Sequence, residues 1–133
     1  MGGITFFAEG HIPFICGGKD DEEYTDLCYK YVAALDEWEV SGTMAEERGY
    51  GGYGSSESWG LVMGGGYNSG TGYLSSVATT ANGQAFGSLP DLPNRDDQQC
   101  LAVIDDEKIF TSGGDQNPSD AFIFSKSTHS WRR

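Results

Sequence analysis

Phe14-Ile15-Cys16-Gly17-Gly18, Leu61-Val62-Met63-Gly64-Gly65 and Ile109-Phe110-Thr111-Ser112-Gly113-Gly114 are three short apolar runs, each ending in a glycine doublet. Gly18 to Gly65 is 47 residues, and Gly65 to Gly114 is 49. Self-similarity at a nearly fixed period of this size marks a repeat architecture, in which each unit is one supersecondary element that buries its apolar faces against its neighbours. Such architectures are scaffolds for binding surfaces more often than for catalysis.

The segments after the doublets recur too. After the first comes a polar loop, then Leu27-Cys28-Tyr29-Lys30-Tyr31, a turn, and Trp38. After the second come Gly66 to Tyr73, Leu74 to Thr79, the turn Ala81-Asn82-Gly83-Gln84, and Phe86. After the third come Asp115 to Asp120, Ala121-Phe122-Ile123-Phe124, a turn, and Trp131. Tyr31 to Trp38 and Phe124 to Trp131 are both steps of seven residues. Met44-Ala45-Glu46-Glu47-Arg48 comes after Trp38 and Leu89-Pro90-Asp91-Leu92-Pro93-Asn94-Arg95 after Phe86. Each leads into another strand-like run, weak at Tyr50 to Tyr53 and clear at Cys100 to Ile104.

Each unit therefore reads as four short antiparallel strands, A to D, joined by turns. In the third, Cys100 to Ile104 is A, Asp105-Asp106-Glu107 a hairpin turn, Lys108 to Thr111 B, Ala121 to Phe124 C, and the Trp131 region D. The first opens with Ile4 to Phe7, turns at Glu9-Gly10 and returns as Ile12 to Cys16. Asn82-Gly83 is the strongest hairpin signal in the chain. The best helix candidate, Tyr29 to Trp38, aligns with strand and turn positions of the other units and is read as strand.

With these residues in register the chain resembles the kelch repeat: an apolar strand ending in Gly-Gly, a Tyr, a Trp seven residues on, then a short Met/Pro/Arg segment. Gly17, Gly18, Tyr31, Trp38, Met44 and Arg48 match in the first unit, and Gly113, Gly114, Phe124 and Trp131 in the third. The second carries Gly64 and Gly65 but departs at Phe86, which replaces Trp, and at Val77 or Thr79, where Tyr is expected. The resemblance covers essentially residues 1–133 and implies an all-β fold. It implies a partial β-propeller of three four-stranded antiparallel blades, at about 3–42, 47–89 and 98–133, with the galactose-oxidase type of architecture. Propellers close with about 4–8 blades. Three units leave two apolar blade faces uncovered, so further blades are expected from a longer chain or by oligomerisation.

Formal charge is −12, from 8 Lys and Arg against 20 Asp and Glu. The acids concentrate in inferred turns and loops, as in Asp20-Asp21-Glu22-Glu23, Glu46-Glu47, Asp96-Asp97 and Asp105-Asp106-Glu107. Nucleic acid and anionic membrane surfaces need basic patches, so neither is an expected partner. No apolar run approaches the ~20 residues of a membrane span. Three cysteines cannot all pair within one chain: Cys16 and Cys28 either face each other as a disulfide or stay as buried thiols, and Cys100 stands apart.

Catalytic motifs are lacking, and no enzyme activity, metal or cofactor is assigned. Galactose oxidase holds copper with His and Tyr ligands, whereas this chain has only His11 and His129, in units that are not neighbours and without ligand partners at short spacing. No carboxylate pair sits in an apolar setting suited to general-acid work, and there is no Gly-x-Ser-x-Gly elbow. Gly64-Gly65-Gly66 lacks the Gly-Lys-Ser/Thr of a phosphate loop. The alternative is a propeller enzyme, galactose-oxidase-like or glycan-acting, whose catalytic residues lie outside this chain.

Alternating strand direction sends the B–C and D–A loops to one end of the units. These are the longer loops, and kelch propellers in general bind partner proteins through such loops. The expected binding residues are Tyr24, Tyr67 and Tyr73, as large contact surfaces of low entropy cost, with Arg48 and Arg95. For the tyrosines the alternative is folding back onto their own units. For the arginines it is tying neighbouring units through backbone carbonyls.

Overall fold

The computed structural model describes residues 4–8, as backbone alone, and 12–133. The expected Glu9-Gly10 turn and His11 lie outside the described residues. Among the described residues every regular element is a strand, and no helix is long and apolar enough to cross a membrane.

Three four-stranded antiparallel sheets succeed one another along the chain. Sheet 1 holds β1 (Ile4–Ala8), β2 (Ile12–Cys16), β5 (Leu27–Val32) and β6 (Glu37–Thr43), with the ribbon β3 (Lys19–Asp20) and β4 (Glu23–Tyr24) inserted in its B–C loop. Sheet 2 holds β7 (Gly52–Ser56), β8 (Gly60–Gly64), β11 (Val77–Thr80) and β12 (Phe86–Leu89). Its inserted ribbon is β9 (Tyr67–Asn68) and β10 (Gly72–Tyr73). Sheet 3 holds β13 (Cys100–Val103), β14 (Lys108–Ser112), β15 (Ala121–Ser125) and β16 (Ser130–Arg132). Within each sheet the strands pair in chain order, so every connection is a simple antiparallel one.

The sheets stack through alternating side chains. On β8, Leu61 and Met63 join Phe14, Cys16, Cys28 and Met44 of sheet 1 and its exit loop. Val62, pointing the other way, joins Val77, Leu92, Leu101, Ile109 and Phe124 on the sheet 3 side. This period of two buries β8 on both faces and makes sheet 2 the middle layer. Full burial of each such side chain contributes about 1.5–3 kcal/mol. Gly52 and Gly54 of β7 lie directly against Leu101 of β13, so the first strands of sheets 2 and 3 approach closely.

Among the described residues nothing covers the outer faces of sheets 1 and 3, where Ile123 of β15 is 37% exposed on sheet 3. On sheet 1, Trp38 opposes Tyr31 and Val40 opposes Tyr29, with Trp38 46% and Val40 55% exposed. Trp38 thus packs on Tyr31, ring centroids 5.5 Å apart, without the second sheet that a fully buried Trp needs. Trp131 is in the opposite position: it lies against Phe124 at 5.3 Å, and its indole N–H donates to Pro90 O at 2.8 Å across the interface with sheet 2.

Cys16 and Cys28 are register partners on β2 and β5 and are joined as a disulfide, both fully buried, while Cys100 is free and exposed. Of the two readings open in the sequence, the bonded one holds, because the pairing of β2 with β5 sets these residues face to face. Asn82-Gly83 does turn the chain, but inside a five-residue loop at 81–85 rather than a two-residue hairpin. Thr80 Oγ1 and Asn82 Oδ1 accept the loop's amides. Tyr29 to Trp38 is strand, turn and strand, with β5 ending at Val32 and β6 starting at Glu37.

The glycine doublets correct the register of the repeat. Positive φ falls on Gly17-Gly18 (67°, 115°), Gly65-Gly66 (62°, 107°) and Gly113-Gly114 (71°, 125°). The second doublet is therefore Gly65-Gly66, with Gly64 closing β8, and the spacing becomes 48 and 48. Only glycine takes these dihedrals without strain. They let the chain reverse so that Gly18 N donates to Arg48 O and Gly66 N to Asp96 O, both at 2.8 Å. Arg48 and Asp96 are therefore structural equivalents, and Arg95 lies one position out of register.

Candidate functional loop face

The D–A segments and the ribbons in the B–C loops meet at one end of the sheets. Gly49 and Tyr67 exchange backbone hydrogen bonds of 3.0 and 2.8 Å, which tie the segment after sheet 1 to the ribbon of sheet 2. Asp115 N donates to Asp97 O at 3.1 Å and makes the corresponding tie between sheets 2 and 3. Tyr50 and Gln98, the next residues of the two segments, both take positive φ, at 56° and 57°. Such dihedrals cost a non-glycine residue of order 1 kcal/mol and persist only where the surroundings enforce them.

These ties gather four tyrosines. Tyr24 from β4 lies 5.6 Å from Tyr67 of β9 and 6.3 Å from Tyr50, and Tyr67 lies 5.3 Å from Tyr73 of β10. The tilted and edge-on geometries are those aromatic pairs prefer. Tyr24, Tyr67 and Tyr73 are half-buried and Tyr50 is 39% exposed, so the cluster is a surface with supported rings. Tyr24 also carries the Lys19 ammonium over its ring, 5.3 Å from the centroid.

Tyr73 continues into a polar group. Its hydroxyl lies 3.5 Å from Asp115 Oδ2, and Gln116 Nε2 donates to both the hydroxyl (2.9 Å) and that carboxylate (2.8 Å). Desolvation, then the charges of Asp115 and Asp97, raise the Tyr73 pKa. Asp97 is 7% exposed, and its Oδ1 has no hydrogen-bond partner. Desolvation first, and the Asp115 charge second, push its carboxyl above the ordinary value, against the opposing pull of a hydrogen bond from the Gln98 side chain. The preceding residue contrasts with it. Asp96 accepts the amides of Asp97, Gln116 and Asn117 at 2.8–2.9 Å and Asn117 Nδ2 at 3.1 Å, and so holds the 115–117 loop in place.

Of the residues expected here, Tyr24, Tyr67 and Tyr73 come together. Arg48 does not join them at the surface. It is 1% exposed, donates to Gly65 O, Ser76 O and Ser76 Oγ of sheet 2, and pairs with Glu46 at 3.5 Å. It ties two sheets and has no face left for a partner. Arg95 is exposed and lines a cavity of ≈150 Å³ with Glu46, Leu74, Ser75 and Asp91, and no ring contact joins it to the tyrosine cluster among the described residues. Tyr50 and Asp97 were not singled out. Tyr50 sits in what reads as a weak strand, and Asp97 in what reads as a solvated acidic turn.

Among the described residues no group of three His, Cys, Asp or Glu is placed to hold a metal ion. His129 is exposed in the turn before β16, with its ring 5.8 Å from Phe124. No protein-family model matches the chain, and no curated protein matches it.

Proposed function

We propose that the three sheets are consecutive blades of a kelch-type β-propeller and that the chain recognises a protein partner through the end carrying the B–C and D–A loops. The observation that carries the reading is the Tyr50–Tyr24–Tyr67–Tyr73 cluster, four partly exposed aromatic rings supplied by three separate loop segments and braced by backbone ties. Braced Tyr side chains lose little entropy on binding and offer both apolar area and a hydroxyl. The blade reading is supported by the 48-residue spacing of the doublets, by the middle sheet buried on both faces, and by the close approach of β7 and β13. The uncovered apolar faces of sheets 1 and 3 are where further blades would stack.

The test places a photo-crosslinking amino acid at Tyr50 and, as control, at Lys126 in the C–D turn at the opposite end of the sheets. The reading expects a discrete protein adduct from position 50 and none from position 126. Adducts at 126 alone, or none at 50, would contradict it.

A further inference from the structure

We infer that the second half of the loop face is a subsite for an arginine side chain of the partner, held by Asp97 and Asp115 beside the Tyr73 ring. This rests on the proposed protein-binding reading and names the chemistry of the partner.

Asp97 and Asp115 stand on neighbouring segments tied by Asp115 N to Asp97 O at 3.1 Å, Asp115 Oδ2 lies 3.5 Å from the Tyr73 hydroxyl, and both charges raise the Tyr73 pKa. Among the described residues the ion pairs are Arg48–Glu46 and Arg133–Asp120, and neither reaches Asp97 or Asp115. A nine-tenths-buried carboxylate oxygen with no donor is a costly arrangement in a folded chain, because buried charge is normally paired. The Asp97 side chain is not required there to hold the loop, since Asp96 and the Asp97 backbone carbonyl already anchor 115–117. At the corresponding place in the first junction stands Gly49, with the Tyr24 ring lying against it.

The chemistry of the missing donor is set by the groups present. It must be cationic, to offset Asp97 and Asp115. A multi-donor fork suits two carboxylates on different segments better than a point charge does. A flat guanidinium also stacks on Tyr73, as the Lys19 ammonium already sits over Tyr24. Gln116 Nε2, on an exposed side chain, occupies part of this place and bonds to Tyr73 and Asp115 as a neutral stand-in. The whole chain carries −12, so a basic peptide is also steered toward it.

The test pans a random dodecapeptide library against the full chain and titrates the selected peptides by calorimetry. Peptides carrying an arginine are expected, with binding weakened about tenfold or more by Asp97→Asn, as for loss of one partner of a desolvated charge pair. Replacing the peptide's arginine by citrulline is expected to give a similar loss, with no further loss in Asp97→Asn. Asp115→Asn is the second variant, should Asp97→Asn alter the fold. Peptides lost on Tyr67→Ala but lacking cations, or indifferent to Asp97→Asn and Asp115→Asn, overturn the subsite and leave the loop-face reading standing. Peptides indifferent to Tyr67→Ala overturn the loop-face reading itself. Spermine or calcium binding at Asp97 with no peptide selected overturns the peptide identity.

Discussion

The junction between sheets 1 and 2 and the junction between sheets 2 and 3 are built on the same backbone but with opposite charges. Arg48 fills the linking position in the first and donates into the carbonyls of sheet 2. Asp96 fills it in the second and accepts the amides of the 115–117 loop. What the position demands is a side chain able to bridge to the next sheet, and either polarity meets the demand. The next residue separates the two junctions further. Gly49 lets Tyr24 close down under Lys19, and the polar atom the first junction leaves without a hydrogen bond is a donor, Arg48 Nε. Asp97 leaves the second with a buried carboxylate oxygen that nothing in the described chain satisfies.

The largest effect is expected on removing the link of the first junction. Arg48→Ala deprives Gly65 O, Ser76 O and Glu46 of their donor and should cost about 3–5 kcal/mol in urea unfolding, the range for breaking a buried charged network. Arg48→Lys should recover only part, because one ammonium cannot reproduce the guanidinium fork. Asp96→Ala leaves the amides of Gln116 and Asn117 without their acceptor and should cost about 2–3 kcal/mol. Faster amide exchange at 115–117 should accompany it. A smaller change in either variant than in a surface control would break the equivalence of the two links.

Copying the second junction into the first is a milder perturbation. In Gly49→Asp the new Cβ meets two Tyr24 ring carbons at 2.7 Å, so the ring must move, at about 1–2 kcal/mol as for other overpacked sites. Tyrosine fluorescence should report the displaced ring. The smallest effect has the opposite sign. Asp97 has a folded-state pKa above its unfolded value, so the folded state binds the proton more tightly. Stability tied to this group therefore falls as pH rises from the unfolded pKa through the folded one, and the charged form is unfavourable at neutral pH. Asp97→Asn should leave the melting temperature at pH 7 unchanged or slightly higher and remove this group's share of the pH dependence. A lowered melting temperature would mean that Asp97 serves the fold rather than a partner.

Much of the architecture is visible in the residues themselves. Apolar runs closed by glycine, with an aromatic seven residues past a Tyr or Phe, specify strand order because each feature answers a local demand of dihedral or burial. Local patterns fail where several residues satisfy the same demand. Gly64-Gly65-Gly66 offers two doublets, and the positive φ of Gly65 and Gly66 with the hydrogen bond from Gly66 N to Asp96 O selects the second. That one-residue shift is also why Arg95 resembles the partner of Arg48, since no similarity of side chain links Arg48 to Asp96. The disulfide depends on the β2–β5 register. The role of Asp97 depends on burial by segments distant in the chain, which composition alone presents as one more acid in a turn.

Site-resolved carboxyl titration by NMR on the ¹³C-aspartate-labelled chain tests the central claim most directly. The account predicts that Asp97 titrates with a midpoint above that of a free aspartate and that a saturating arginine-containing peptide lowers it. An Asp97 midpoint at or below the free value, unmoved by such a peptide, would contradict the view that the second junction holds a carboxylate with one unpaired oxygen awaiting a cation.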